Sequence, residues 1–500
     1  MKTILSFFLL SVLFVACNDL DLIPVGSITG SNILKTDNDA IALTNGIYVI
    51  HASMSPRIAY MTDLAADATQ SGEAVLSESG ALLGIYTYGP GNGHVLSIWT
   101  FIYQGISTAN SVIDRLDAST AVSEPLKTRL IGEAKFHRAL FYYYAVQFWG
   151  DVPLILHPTE GQGGVRTKVD EVYRQIVEDL TDAAKPEVLP VSYPEKEKGR
   201  VTNGAAYALL AKTYLVWTQT SAGAPSDGYN KAVEAAEKVK GYELQEDFLE
   251  NWSTVNRDGK ENIFSAHHAI TGNNHLCHCA FSNGFTNATP HLVVSNISFY
   301  HQFDDRDQRK AATYAKRLWD ETKGDYFEFT LPRFQKYIDP LHLQTIVKTM
   351  DVDRTILRYS DVLLTKAEAI NERDHGPSAD NSAAYQAINQ VRRRAFNREP
   401  DPSAFDLKGL NYEQFREAVR KERFFEFTYE QQRWLDLVRW KILVKTVKAV
   451  PGKEKIELKH YRFPIPQSQR DINPEGLWQN WGYDGYDEVK TGSNPYVGFE

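Results

Sequence analysis

Apolar side chains recur along this chain mostly at the spacing of buried α-helices. The clearest case is the stretch 131–156, IGEAKFHRALFYYYAVQFWGDVPLIL. Pro and Gly are absent from residues 133–148, and residues with good helix propensity fill that span. Its apolar residues lie on two sides of a helix: Phe136, Ala139, Leu140 and Tyr143 on one, and Ala134, Phe141, Ala145 and Phe148 on the other. A helix that is apolar on most of its circumference is buried among other helices, so we predict a core helix that Gly150 ends.

Further helices are predicted where the helical spacing returns. They are expected at 37–51, 99–116, 170–184, 199–217, 229–240, 354–372 and 383–396, with one long helix or two at 412–440. Thr202 is the predicted N-cap of the helix at 199–217. Tyr, Ala and Leu recur in helix–turn–helix units that are similar to tetratricopeptide pairs, although the period is irregular. The predicted fold is therefore mainly α, with tetratricopeptide-like helix pairs.

The remaining segments lack this spacing. Residues 53–94 are rich in Gly and Ser and are expected to form loops. Residues 252–340 mix Asn, Gly, His and aromatic side chains, which predicts a non-helical insertion suited to a binding surface. Residues 461–483 are Pro-rich and are expected to run extended around the body. The second half is therefore predicted to be irregular and loop-rich.

Composition narrows the class of protein. The chain has 500 residues, 43% of them apolar and 23% charged, which is enough for one large domain or two ordinary ones. The net charge is −9 and the sequence contains no basic stripe, so we do not expect the protein to bind nucleic acid. Tyr and Trp are frequent, and their rings can stack on sugars or peptides.

The N-terminus indicates export. Lys2 precedes an apolar run at 4–15, which is too short to span a bilayer and is typical of a signal-peptide core. Ala16 and Cys17 follow, and a Cys after a small residue resembles a lipobox, although Phe14 stands where Leu is usual. We predict lipidation of Cys17, with plain secretion as the alternative. After cleavage only Cys277 and Cys279 remain, which excludes a disulfide framework.

Several stretches resemble signature blocks of one known family. The pattern AKFxRAxxYYxxxxxWGDVPLI, beginning at Ala134, resembles the hallmark of the SusD/RagB family of outer-membrane lipoproteins. The blocks GRVTNGAAYALLAKTYL, ILRYSDVLLTKAEAIN, INQVRRRA, ERFFEFTYEQQRWLDLVRW and FPIPQSQRDINP follow in the family's order, and the resemblance covers nearly the whole mature chain. One departure is Gln431-Gln432, where the family usually has Gly before the Arg-Trp pair.

The resemblance implies a function and a set of partners. Such a protein captures an oligosaccharide at the cell surface and delivers it to a SusC-like TonB-dependent transporter, without catalysis and without a cofactor. A RagB-like protein that captures peptide is the alternative, and an α-helical glycan hydrolase is a more remote one. The acidic residues after Cys17, Asp19 and Asp21, resemble the family's surface-export signal.

The residues and the resemblance together predict that the chain divides into four parts. Residues 1–16 are the signal peptide and 17–35 the tether. Residues 36–219 form the N-terminal helical part, and 220–500 form the C-terminal part, which packs with it as one body.

Two groups of aromatic residues are the candidate ligand-binding residues. A sugar packs its C–H face on a flat ring, and its hydroxyl groups need polar partners at the edge. The first group is Tyr86, Tyr88, His94 and Trp99, and the second is Phe281, Phe285, Tyr300, Trp319 and Tyr326, with Asn273 and Asn283 as polar edges. The resemblance places the family's ligand surface in these two regions, and a core position is the alternative for each ring.

Three clusters of polar residues invite other chemistry. Glu422, Glu426 and Glu430 share one helical face, which suits either paired glycosidase carboxylates or an ion-pair lattice with the neighbouring Arg residues, and we favour the lattice. Asp304, Asp305 and Asp307 lack the Gly and distal Glu of a calcium loop, so local ion pairs with Arg306 and Arg309 are expected.

The third cluster, His275-Leu276-Cys277-His278-Cys279, lacks a second ligand pair, so we expect no metal there. Motifs for phosphate binding or nucleophilic hydrolysis are absent from the sequence.

Overall fold

Helices dominate the architecture. The computed structural model describes residues 34–71, 78–158, 164–269, 293–320, 323–339, 351–380, 382–397 and 403–500. In the first half, the described residues form the α-helices α1 (Asp37–Ala59), α2 (Glu78–Gly84), α3 (Gly93–Asp117), α4 (Glu124–Trp149), α5 (Val169–Ala183), α6 (Asn203–Thr220) and α7 (Gly228–Lys238). Those of the second half are α8 (Ile297–Tyr300), α9 (Gln308–Thr313), α10 (Tyr359–Asp374), α11 (Ala383–Ala395), α12 (Tyr412–Phe427), α13 (Arg433–Arg439), α14 (Leu443–Lys448), α15 (Gln467–Ile472) and α16 (Glu488–Thr491).

The strands form four antiparallel pairs. They are β1 (Thr69–Ser71) with β5 (Val293–Ser295), β2 (Val152–Pro153) with β3 (Arg166–Thr167), β4 (Asn262–Ala266) with β8 (Arg354–Arg358), and β6 (Tyr314–Asp320) with β7 (Asp325–Phe334). Among the helices of these ranges, none is both long enough and apolar enough to pass through a bilayer. The prediction of a mainly α fold is confirmed.

Helices that follow one another in the chain pack against one another. The sequence α3, α4, α5, α6, α7 packs in order, and α10 then packs on α7, α11 and α12. Such stacking of neighbours is the expected helix-pair arrangement. The helix α4 lies at the centre, and every residue from Phe136 to Trp149 is buried. Gly150 ends it with φ +75°, as predicted.

Residues of both halves share the main apolar core. It runs from Ala40 through α4 to Trp434, Phe463 and Tyr496. The C-terminal segment reaches back to α4, because the indole of Trp149 donates a hydrogen bond to the carbonyl oxygen of Pro464 at 3.1 Å. Within the predicted extended segment only short helical turns interrupt the coil.

Two predicted segments differ from the structure. Residues 53–59 continue α1, a π-helical turn follows at Tyr60–Leu64, and α2 lies further on, where loops were expected. Burial of Met54 and Ile58 holds the helix past Pro56. Residues 354–358 form a strand instead of the start of a helix, because they pair with β4 and are wholly buried.

At 412–440 the structure has the second of the two predicted arrangements, with two helices, α12 and α13. Between them Tyr429 and Gln431 have φ of +62° and +58°. Gln431 stands where the family usually has Gly, and its neighbours hold this strained conformation in place. Its backbone N–H and side-chain amide both donate to the Asp63 carboxylate, and its side-chain oxygen accepts from Arg354 Nε at 2.9 Å.

Candidate ligand-binding surface

A pair of short strands brings two distant segments of the chain together. Thr69 pairs with Ser295 and Ser71 with Val293. The Asn296 side chain adds a hydrogen bond to the carbonyl oxygen of Asp67, and its Oδ1 accepts from the N–H of Ser298, which caps α8. Strand β1 and the segment that carries Tyr300 therefore lie side by side.

Tyr300 lies among cations on this side of the molecule. Its ring contacts the ring of Tyr314 edge-on, with 5.4 Å between centroids. The Nζ atoms of Lys310 and Lys316 lie 4.5 and 4.7 Å from the ring centroid, at cation–π distance. The side chain is half-buried, so part of the ring remains accessible.

The hairpin of β6 and β7 presents a second pair of rings. Trp319 and Tyr326 are cross-strand partners, and their rings meet at 5.1 Å and 72°. The guanidinium carbon of Arg317 lies 4.2 Å from the Tyr326 centroid. Tyr326 is 40% exposed and Trp319 is half-buried. Two rings and a cation thus form an accessible surface of the type that packs on sugar rings. Trp319, Tyr326 and Arg317 are called the hairpin cluster below.

The first predicted group lies deeper. Tyr86 and Tyr88 are 3% and 5% exposed and pack on His460 and Phe463, and Tyr86 donates a hydrogen bond to the Ala65 carbonyl oxygen. Burial raises the pKa of both tyrosines well above the usual range. In this structure protein atoms cover both rings.

Trp99 and His94 lie on and near the first turns of α3. Trp99 is 4% exposed and contacts Tyr103 at 4.8 Å and Trp149 at 4.9 Å. Its edge lines a groove of about 410 Å³, together with Tyr103, Gln104 and Gln469. His94 is half-buried, and its ring lies 4.6 Å from that of Tyr60. Burial and then the charge of Arg57 lower the pKa of His94.

Five predicted residues fall outside the described ranges. They are Cys17, Asn273, Phe281, Asn283 and Phe285. The His275–Cys279 cluster falls outside them as well. Within the described ranges, side chains of His, Cys, Asp or Glu nowhere gather in a set of three or more that could hold a metal ion.

Sequence reasoning missed Arg317, Tyr103, Gln104 and Tyr60. A usable signal existed for the first of these. The segments YAKRLWD and DYFEF contain aromatic residues that favour strands, and they flank a short sequence that contains Gly324, which is typical of a hairpin. Such a hairpin sets Trp319 opposite Tyr326, with Arg317, two residues before Trp319, on the same face. The groove beside Trp99 carried no such signal, because its walls come from three distant segments.

The acidic face of α12 forms an ion-pair lattice, as favoured from the sequence. Glu426 is fully buried and its carboxylate accepts from three guanidinium groups. Burial raises the pKa of this carboxyl, but the charges of Arg394, Arg358 and Arg309 outweigh burial and hold the pKa well below its usual range. A carboxyl that stays ionised in a closed lattice is unsuited to protonate a glycosidic oxygen.

The neighbouring acidic groups are also paired. Glu422 binds Arg309 at 2.7 Å, and Glu430 binds Lys336 at 2.7 Å. The expected local pairs are confirmed, because Arg306 binds Asp304 and Arg309 binds Asp307, both at 2.7 Å.

Comparison with known proteins gives consistent matches. The family described as the SusD family matches residues 294–483, and the one described as starch-binding and associating with the outer membrane matches 42–215. A SusD-like protein of Formosa agariphila is 28% identical over 452 residues, which cover 78% of this chain and 80% of that protein.

Solved structures agree with these matches. A SusD homologue from Bacteroides thetaiotaomicron is 25% identical and superposes with a TM-score of 0.77, over 91% of this chain and 99% of that one. A surface glycan-binding protein A from Bacteroides fluxus, 21% identical, has a TM-score of 0.74 over 90% and 100% of the two chains.

Proposed function

Since this chain belongs to the SusD/RagB family, we propose that it is a cell-surface lipoprotein that captures an oligosaccharide and delivers it to a SusC-like TonB-dependent transporter. The lipid on Cys17 holds it at the outer membrane. A tether of this kind keeps the captured ligand close to the transporter at a high effective concentration. The protein binds its ligand and leaves it chemically unchanged.

The observation that carries the glycan proposal is the hairpin cluster. Trp319 and Tyr326 present ring surface at an exposed edge, where a sugar can pack its C–H face. Arg317 lies beside them as a donor for hydroxyl or ring oxygens. Tyr300, with Lys310 and Lys316 above its ring, extends the same chemistry. The predicted Asn273, Phe281, Asn283 and Phe285 remain part of this proposal.

A ligand array followed by calorimetry tests the proposal. The purified mature protein is applied to immobilised glycans and peptides. The ligand that binds most tightly is then titrated into the parent protein and into the variants Trp319→Ala and Tyr326→Ala. Each variant should lose at least about tenfold in affinity, which corresponds to about 1.4 kcal/mol. Tyr412→Ala is the matched control, since its ring also lies 4.2 Å from a guanidinium but on α12.

The outcomes separate the candidate functions. Binding to peptides alone would favour the RagB-like alternative. An affinity equal to the parent's in both hairpin variants would show that the ligand binds elsewhere on the molecule. Release of shorter sugars on long incubation would indicate a hydrolase. Delivery is tested separately, by co-purification of a TonB-dependent transporter with the anchored protein from outer membranes.

A further inference from the structure

A second cavity, of about 230 Å³, shares no lining residue with the hairpin cluster. It opens where α4 ends, between Gly150 and the strand β3 on one side and the C-terminal segment on the other. Its cationic and aromatic walls include Arg166, Lys168, Lys441, Arg462, Trp478 and Tyr496. We refer to it as the α4-end cavity.

The most informative residue of the α4-end cavity is Arg166. Its side chain is buried at 6% exposure, yet its hydrogen bonds all go to neutral oxygens. Nε donates to the carbonyl oxygen of Asp151 at 2.7 Å, and Nη1 to that of Trp478 at 2.6 Å. Nη2 donates to the Trp149 carbonyl oxygen at 3.1 Å and to Asn480 Oδ1 at 2.6 Å. Buried charges are normally paired with an opposite charge. None of these four contacts gives the guanidinium of Arg166 such a partner.

Other cations surround this guanidinium. Among the described residues that line the cavity, four are cationic and one, Asp151, carries a carboxylate. That carboxylate is already engaged by Lys168 Nζ at 3.0 Å and by the N–H of Val169 at 2.9 Å. Arg462 donates only to carbonyl oxygens, those of Gln147 and Tyr461. A concave site with walls of one sign focuses potential and attracts the opposite charge.

Aromatic faces complete the walls of the cavity. The Trp478 ring lies 5.1 Å from the Arg166 guanidinium and 5.9 Å from Lys168 Nζ. Tyr461 and Tyr496 stack at 5.4 Å on the other side. Pockets for drug-sized ligands have volumes of about 300–1,000 Å³, so this smaller cavity suits a single ring.

We propose that the α4-end cavity binds one acidic sugar unit, a ring that carries a carboxylate or a sulfate ester. The anionic group meets Arg462 and Lys441 above Arg166, and the ring packs on Trp478 or Tyr496. This inference rests on the proposed function for the choice of a sugar, and on the uncompensated cations for the choice of an anion. The predicted occupant is either a free acidic monosaccharide or an acidic residue at the end of a glycan.

Calorimetric titration of the mature protein with glucuronate tests this inference, with glucose and inorganic sulfate as comparison ligands. Glucuronate should bind at least about tenfold more tightly than either one, and more weakly at high salt because the attraction is between charges. Arg462→Gln and Lys441→Gln should each lower glucuronate affinity at least about tenfold. Lys455→Gln, an exposed lysine away from the cavity, should leave it unchanged.

Several results would overturn the inference. Equal affinity for glucose and glucuronate would contradict recognition of the anionic group. Sulfate binding as tight as that of glucuronate would contradict recognition of the sugar ring. An unchanged affinity in both cavity variants, with thermal unfolding like that of the parent, would place any binding elsewhere. The glycan array and this titration use different ligands and different residues, so failure of one remains distinguishable from failure of the other.

Discussion

Gly150 has a backbone conformation that side-chain-bearing residues rarely adopt. Its φ is +75° and its ψ is −118°, and an added Cβ would lie 3.3 Å from Nε of Arg462. The position therefore both ends α4 and leaves room for a cation of the α4-end cavity. A residue other than glycine would have to strain the turn and push Arg462 aside.

We expect Gly150→Ala to lower the free energy of unfolding by about 1–3 kcal/mol, the usual cost of forcing a non-glycine residue into such a region. Urea unfolding measures the effect. Gly46→Ala is the matched control, because Gly46 lies exposed within α1 with open space around its Cα. That change should instead raise stability, by about 0.5–1 kcal/mol. Equal effects at both positions would contradict the argument.

A buried histidine pair makes stability sensitive to pH. Nε2 of His51 and Nδ1 of His137 are 3.0 Å apart, and the His51 ring stacks on Phe141 at 4.2 Å. Burial, with a smaller effect from Arg200, lowers the pKa of His137 to about 3. Because the folded-state pKa lies below the unfolded value of 6.5, the unfolded chain takes up the proton first. Stability should therefore fall as the pH decreases from about 6.5 towards 3.

The variant His137→Gln tests that dependence. It removes one titrating group, so the loss of unfolding free energy between pH 6.5 and pH 4 should be smaller than in the parent. Urea unfolding at several pH values gives the slope. His301→Gln, at an exposed position, should keep the parent's slope. An identical slope in His137→Gln would contradict the assignment.

At the scale of elements, α12 holds the second half together through charge. Its residues Glu422 and Glu426 reach Arg309 near the hairpin, and Glu426 also reaches Arg358 at the end of β8. The lattice thus joins α12 to two segments that are distant from it in the sequence. Removing one member leaves the remaining charges buried without their partner.

We expect Glu426→Gln to lower the free energy of unfolding by about 3–5 kcal/mol, the range found when one member of a buried pair is removed. Chemical denaturation measures it. Glu417→Gln on the same helix is the control, since Glu417 is exposed and its pair with Arg420 contributes at most about 1 kcal/mol. A Glu426→Gln protein with the parent's free energy of unfolding would contradict this role of the lattice.

The sequence predicted a structural feature better when the residues that form it are close together in the chain. The Thr202 N-cap is confirmed, because its side chain accepts from the N–H of Ala205 three residues on. The pairs of Arg306 with Asp304 and of Arg309 with Asp307 are also local and were expected. The strand at 354–358 was missed because its cause, pairing with β4, lies about ninety residues earlier in the chain. Arg166 was not singled out for the same reason, since its partners Trp478 and Asn480 are more than three hundred residues away.

At the scale of the whole molecule, ligand binding and membrane attachment are proposed to depend on different parts of the chain. The described body carries the hairpin cluster and the α4-end cavity, and the proposed lipid on Cys17 keeps that body at the membrane. One acyl chain binds a membrane only reversibly, and two or more anchor it stably. Binding and retention should therefore be separable by mutation.

We expect Cys17→Ala to abolish fatty-acid labelling and to release the protein from the outer-membrane fraction, with ligand affinity unchanged. Radioactive palmitate labelling and fractionation measure the two effects. Cys277→Ala is the control, since it also removes a thiol and should keep both label and location. Labelled Cys17→Ala protein in the membrane fraction would refute the anchor.

The pairing of Thr69–Ser71 with Val293–Ser295 affects the order in which parts of the chain fold. Asn296 and Asp67, which bond beside it, are 229 residues apart. Helices of the first half contact their neighbours and can pack soon after they emerge, whereas contacts across so long a separation form slowly. We therefore expect the seam that the two strands close to be among the last parts of the chain to form. A protease would then cleave this region more readily before the seam closes than after it, and only completely folded molecules would hold Tyr300 in its final position.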